Sequence, residues 1–405
     1  MDEDPAGLHS ALVDRLLGLG VLTQPAVEAA FRAVPRHLFL PDFPISEVYR
    51  DEAIATKMED GRAISSSSQP AIMAIMLEQL NALPGQRVLE IGAGTGYNAA
   101  LLGRLVGPSG QVVTVDIDDD IAVAARAHLA AAGSDNVQVI CGDGGHGYGP
   151  AAPYDRIILT VGAWDVTPAW YDQLGPGGRL VLPLRVATGA QRAVAFDKAP
   201  VGVEPRFVSQ SVRDCGFMVL RGAFAGSEFN TPIGPNPGLT VFTPAPIPAS
   251  AEQIYAWLQS PSEPHASGLR TTPAEVFGSL GLWLELHAKN LSGLNMEGVP
   301  RGGWPCLFEF PGARPVSYTF GLLQADGMAL LDRGQHGGAD ASWRPDEQEL
   351  FELFVLGYGP HGPRLDHDLV DLLAIWDRAG RLSSIRLRLW CWVLQPGGRR
   401  SWRLV

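Results

Sequence analysis

Through the first half of the chain, short apolar runs alternate with longer stretches in which apolar residues recur every three or four positions. Leu8, Leu12, Leu16 and Leu19 form a helical stripe over residues 8–22, weakened at its end by Gly18 and Gly20. Pro25 opens a second helix running to Ala33, and Ile72, Ile75, Met76, Leu77 and Leu80 predict a third after Pro70. Strands are predicted at 88–91, 111–117, 136–140, 154–161 and 177–184, with helical patterns beginning at Ala99 and spanning 121–132 between them. Such alternation predicts an α/β fold: a doubly wound, Rossmann-like domain.

The first of these strands, Val88-Leu89-Glu90-Ile91, ends in Gly92, Gly94 and Gly96 and is followed by a helix start. Glycines let a ligand lie against the backbone, and the first N–H groups of a helix favour an anionic group. A nicotinamide-binding turn reads G-x-G-x-x-G, whereas this one reads G-x-G-x-G, a spacing that suits S-adenosylmethionine better. Asp116, near the end of the next strand, can accept both ribose hydroxyls of a nucleoside. Asp143 ends the strand after that and can accept an adenine amino group.

Composition narrows the possibilities. The 405 residues, 46% hydrophobic and 18% charged, describe a globular protein long enough for two domains. A formal charge of −12 argues against a nucleic-acid backbone as partner. The acidic start lacks a basic segment followed by an apolar one, and no apolar run approaches the ~20 residues of a membrane span, so a cytoplasmic location without membrane association is expected. Four cysteines contain no C-x-x-C pair and nine histidines no H-E-x-x-H spacing, so neither a disulfide framework nor a metal site is expected. His37 reads as a structural histidine.

Ser65, Ser66, Ser67 and Ser68 stand in a row just before the helix that begins near Pro70. One serine suffices to cap a helix; four supply hydroxyls and N–H groups that can orient a carboxylate. Both readings stand.

Taken together, Val34-Pro35-Arg36-His37-Leu38-Phe39-Leu40-Pro41, Tyr49-Arg50-Asp51, Ile64-Ser65 through Gln69-Pro70, the glycine turn with its strand, Gly142-Asp143-Gly144, Ala152 to Ile158 and Gln173 to Leu180 resemble the protein-L-isoaspartate O-methyltransferase family. The resemblance covers roughly residues 8–226. It implies methyl transfer from S-adenosylmethionine to an aspartyl or isoaspartyl carboxylate of a peptide or protein, giving an ester that can close to a succinimide. It also implies an active-site serine between Ile64 and Gln69-Pro70, where the family has one serine and this chain has four, Ser68 and Ser65 being the first candidates. The candidate cofactor-binding set is Glu90, Gly92, Gly94, Thr95, Gly96, Asn98, Asp116, Ile117, Gly142, Asp143, Gly144 and Thr160.

Val212 to Gly222 resembles the family's closing strand. Beyond it lies a Pro-rich connection from Pro232 to Pro248, and then an α+β region holding eight of the ten tryptophans. Most of these are expected to build core and some to line a peptide groove. Residues 251–258 and 365–376 read as helices, and 384–394 with 401–405 as a hairpin. The expected organisation is an N-terminal helical segment with the acceptor loop (1–79), the cofactor-binding core (80–226) and a C-terminal α+β domain (227–405). An enzyme extended in this way resembles those that accompany ribosomally made modified peptides, so tailoring of such a peptide is the favoured setting. General isoaspartate repair is the alternative, with a nicotinamide-dependent oxidoreductase or a non-catalytic peptide binder as further readings.

Overall fold

Strands β1 (Ile54–Glu59) and β2 (Arg62–Ser67) make an antiparallel hairpin ahead of the main sheet of the first of two units. The computed structural model describes residues 4–381 apart from 60, 186–190, 201, 204–205, 227–228, 244–245, 289, 300–303, 311–314 and 335–349, together with Leu389–Trp392 and Ser401–Leu404. One unit comprises Met1–Arg185, Gln191–Gly226 and Arg388–Val405, the other Val186–Ala190 and Ser227–Leu387.

In the first unit β3 (Arg87–Ile91), β4 (Gln111–Asp116), β5 (Val137–Cys141), β6 (Tyr154–Leu159) and β7 (Leu174–Arg185) run parallel in the order β5-β4-β3-β6-β7. Strand β8 (Gln191–Lys198) adds antiparallel to β7, and β9 (Phe207–Cys215) antiparallel to β8. Val88, Leu89 and Ile91 are buried, as expected of a central parallel strand covered on both faces. The order reverses direction at β3, the point where such sheets leave a crevice beyond the strand ends.

In sequence, 384–394 and 401–405 read as a hairpin of the C-terminal region. The structure pairs Leu389–Trp392 with Ser401–Leu404 but places the pair on β9 through Trp390↔Val208 and Cys391↔Phe207, in the first unit's sheet. The hairpin covers an edge that β9 would otherwise present to solvent. The expected loop of serines is also different: Ser65, Ser66 and Ser67 lie in β2, whose pairing with β1 is interrupted by register shifts around Lys57. None of them caps the following helix, Pro70–Leu80. Asp51 does so, accepting from the Ala71 N–H at 2.9 Å and the Gln69 side chain at 3.2 Å. The anion-favouring end of that helix is thus filled by the protein's own carboxylate.

Arg36 fixes the hairpin to the rest of the unit. Its guanidinium is fully buried and donates to the carbonyls of Val48 (2.8 Å), Arg50 (3.1 Å), Glu52 (3.2 Å) and Ser68 (3.0 Å), and to the Ser67 carbonyl and hydroxyl at 3.5 and 3.3 Å. Burial pulls its pKa down from the ordinary value, yet the guanidinium has far to fall before it loses its proton. Nearby, His37 Nδ1 lies 2.6 Å from the Tyr49 hydroxyl, a structural pairing.

The second unit is built on an eight-stranded antiparallel sheet with helices Ala251–Leu258 and Gly362–Arg378. The Pro-rich stretch supplies two of its strands, β10 (Phe229–Pro232) and β11 (Leu239–Thr243), rather than a linker. Pro232 is accommodated because β10 lies at the sheet's edge. Four of its tryptophans are described, and all pack into core: Trp376 is fully buried and donates to Ser279 Oγ at 2.8 Å, Trp283 is 8% exposed, and Trp257 and Trp304 pack against the cluster around Ile233 and Leu294. Trp343, and the side chains of Trp390, Trp392 and Trp402, lie outside the described residues. No helix among the described residues is long and apolar enough to cross a membrane.

Replacing Arg36 with Met keeps a long side chain but removes every donor from these buried oxygens. We expect Arg36→Met to destabilise the protein by roughly 3 kcal/mol or more. An unchanged urea midpoint and slope would show that the guanidinium is not the tie described here.

Candidate active site

A cavity open to solvent lies at the end of β3 and falls entirely within the first unit. Its floor is the glycine turn. Gly92 has φ +99°, and a Cβ there would lie 2.5 Å from Thr160 Oγ1 and 3.0 Å from a Val161 methyl carbon, so only glycine keeps this wall flat. Gly96, at φ +87°, starts the helix Tyr97–Val106 and abuts Leu129, which would be 3.2 Å from a Cβ. Gly96 shapes the turn but does not line the cavity.

The structure brings Gly92, Gly94, Thr95, Asn98, Asp116, Ile117, Gly144 and Thr160 together around the cavity with all four serines. Asp116 is 9% exposed; it accepts from the Gly94 N–H at 3.0 Å and the Asp118 N–H at 3.2 Å. Burial pushes its carboxyl up, and these two donors pull in the opposite direction. Thr160 holds the turn from the other side, its hydroxyl donating to the Gly92 carbonyl at 2.5 Å.

Besides Gly96, three expected cofactor residues are not in the lining. Glu90 is fully buried beneath the turn, accepting from Asn98 Nδ2 at 2.7 Å and Thr114 Oγ1 at 2.6 Å. It braces Asn98, which does line the cavity. Asp143 is turned away to accept from the N–H groups of Gly145 (2.8 Å) and Ala223 (2.7 Å), so it ties the chain after β9 to the strand end. Gly142 is likewise absent from the lining.

Sequence reasoning missed Met218, Val219, Leu220 and Arg221, which complete the wall. The stretch 212–222 reads as one strand, but β9 stops at Cys215 and the chain then crosses to Gly162, with hydrogen bonds from Gly162 N–H to Met218 O (2.7 Å) and from Leu220 N–H to Gly162 O (2.8 Å). The signal was available in Cys215-Gly216, where a glycine interrupts the alternation. Arg221 brings positive charge to the wall and is matched by Asp118 at 2.6 and 3.2 Å, while Lys57 of β1 reaches Asp118 at 3.6 Å and Asp120 at 2.8 Å. Hydrogen bonding to Arg221 holds the Asp118 carboxyl below the usual carboxylate range.

The serine run covers the glycine turn. A Cβ on Gly94 would sit 3.6 Å from the Ser66 carbonyl. Ser65 and Ser67 are buried and already engaged, Ser65 Oγ accepting from Thr56 Oγ1 at 3.2 Å and Ser67 Oγ from Arg36. Among the described residues, the Ser66 and Ser68 hydroxyls make no such side-chain bond.

Residues 7–222 match the family model for protein-L-isoaspartate(D-aspartate) O-methyltransferase. The chain belongs to this family. It is 44% identical over 174 residues to a protein-L-isoaspartate O-methyltransferase of Methanopyrus kandleri, covering 43% of this chain and 75% of that one. A second relative with that name, from Archaeoglobus fulgidus, is 40% identical over 198 residues, 49% of this chain and 86% of its own. A solved protein-L-isoaspartate O-methyltransferase shares the fold with a TM-score of 0.53 at 24% identity, over 98% of this chain and 99% of its own. The family is a methyltransferase family, its cofactor is S-adenosylmethionine, and the nicotinamide and non-catalytic readings fall away. An association with ribosomally made modified peptides is not among what these comparisons show.

The residues present fit that cofactor: a flat glycine wall and a buried carboxylate at the strand end. Asp116 would hold the ribose beside the glycine turn, with Ile117 also in the lining.

Glu90 lends the site a pH dependence. Burial pushes its carboxyl from the ordinary 4.5 up to about 7, against the two hydrogen bonds that favour the ionised form. The folded state therefore keeps the proton where the unfolded chain has lost it. Its contribution to stability is fully present below pH 4.5, declines as pH rises to about 7, and is level above. Glu90→Gln should remove this part of the slope in cofactor-free protein. Parallel melting-temperature profiles of the two proteins between these limits would place the titration on another group.

Proposed function

We propose that the protein is a repair methyltransferase, transferring the methyl group of S-adenosylmethionine to the carboxylate of isoaspartyl residues in damaged proteins in the cytoplasm. The observation that carries this reading is the serine strand seated over the glycine turn, which offers neutral hydroxyls to a carboxylate beside the cofactor cavity.

A carboxylate is ionised at neutral pH and needs no general base. S-adenosylmethionine supplies an electrophilic sulfonium methyl. What remains for the chain is alignment, which contributes about 7–11 kcal/mol in favourable cases. Ser65 and Ser67 hold the strand in place through Thr56 and Arg36, leaving Ser66 and Ser68 to orient the acceptor. Neutral donors suit this task, because a cation gripping the carboxylate would stabilise the ground state. The guanidinium in the cavity wall, Arg221, is matched by Asp118, and Arg36 spends its donors on carbonyls. The ester product can then lose methanol by attack of the neighbouring backbone nitrogen, closing to a succinimide that reopens by hydrolysis.

The comparisons support repair over peptide tailoring, since relatives from two archaea carry the isoaspartate name and a solved structure so named is similar along nearly the whole of both chains. A second unit is therefore no mark of a dedicated peptide. Mass spectrometry on a generic isoaspartyl peptide and a ring-constrained peptide with normal Asp separates the two. We expect methylation of the first only; reaction at the constrained Asp alone would restore the tailoring reading. Ser66→Ala and Ser68→Ala should each lower kcat on the isoaspartyl peptide with S-adenosylhomocysteine affinity nearly unchanged. Equal losses in both would move these serines into cofactor binding.

A further inference from the structure

The rigid Gly357-Tyr358-Gly359-Pro360-His361-Gly362-Pro363 turn delivers the start of the helix Gly362–Arg378 against the strand β12 (His265–Thr271) in the second unit. Asp366 and His367 on that helix meet His265 on the strand, with Asp366 101 residues further along the chain than His265. The Asp366 side chain is 6% exposed, and among the described residues its partners are two imidazoles and no Arg or Lys. A buried carboxylate is stable only where hydrogen bonds or a cation compensate it.

We propose that His265, Asp366 and His367 bind a divalent first-row transition ion, of which Zn²⁺ is the natural probe. One potential ligand atom from each of the three lies within 4.8 Å of the others. Ligands about 2.0–2.1 Å from a tetrahedral ion lie roughly 3.3 Å apart, and His265 Nδ1 is 3.4 Å from Asp366 Oδ1. The two imidazole rings are 4.7 Å apart between centroids and steeply inclined, so they approach the carboxylate from different directions. His367 Nδ1 lies 2.6 Å from the Pro363 carbonyl and 2.6 Å from Asp366 Oδ1. An Nδ1–H donated to that carbonyl would leave the other ring nitrogen to face an ion, the arrangement by which backbone acceptors orient metal-binding histidines. His367 is 71% exposed, and three protein ligands would leave a fourth position for water. Two imidazoles and a carboxylate suit zinc, cobalt or nickel better than calcium or magnesium. The ion would pin strand to helix.

The test uses untagged, chelator-treated full-length protein and Zn²⁺ alone. Calorimetric titration should show one ion per chain. His265→Ala and His367→Ala should each weaken it at least about tenfold, and Zn²⁺ should raise the unfolding temperature of the parent protein until chelator restores it. His367→Ala changes an exposed side chain and so keeps the test independent of folding. Absence of stoichiometric binding, or equal binding by parent and both variants, would reduce the cluster to a hydrogen-bonded trio and overturn the proposal.

Discussion

One buried guanidinium, Arg36, joins the two halves of the site. A cation removed from water normally requires a carboxylate partner; here backbone carbonyls and one hydroxyl from the segments around Val48, Glu52 and Ser67 do the work instead. Asp51, which caps the helix after the serines, adds its charge nearby. The same contacts set the height of the serine strand over the glycine turn. The serine strand and the glycine turn are consequently parts of one packed arrangement.

Residues that act within a strand or turn were legible in sequence. The glycine spacing, the apolar runs and Asp116 at a strand end are local patterns, and the structure places them as their periodicity implied. Two acidic residues, Glu90 and Asp143, carry the residue type a nucleotide site needs and here accept hydrogen bonds from Asn98, Thr114 and the Gly145 and Ala223 N–H groups. Which donors surround a carboxylate is decided by tertiary contacts, and a linear motif does not contain them.

The serines illustrate the same limit. Their position before a Pro-initiated helix suggested a cap, yet the cap comes from Asp51, 20 residues before Ala71. Released from that role, they enter a strand. The crossing segment 218–221 was obscured for a different reason: the apolar run Phe217 to Leu220 reads as more strand, although Gly216 marks the break after β9.

The return of Leu389–Trp392 to β9 gives the first unit a discontinuous chain. During synthesis the edge of β9 is made long before the strand that covers it, and the whole of the second unit emerges in between. Until then an unpaired strand edge is open to association with other chains, a hazard that grows with the delay. Excising the second unit as a simple C-terminal truncation would strip that cover as well. An internal replacement of the second unit by a short linker that preserves the returning hairpin is the cut that leaves the sheet whole.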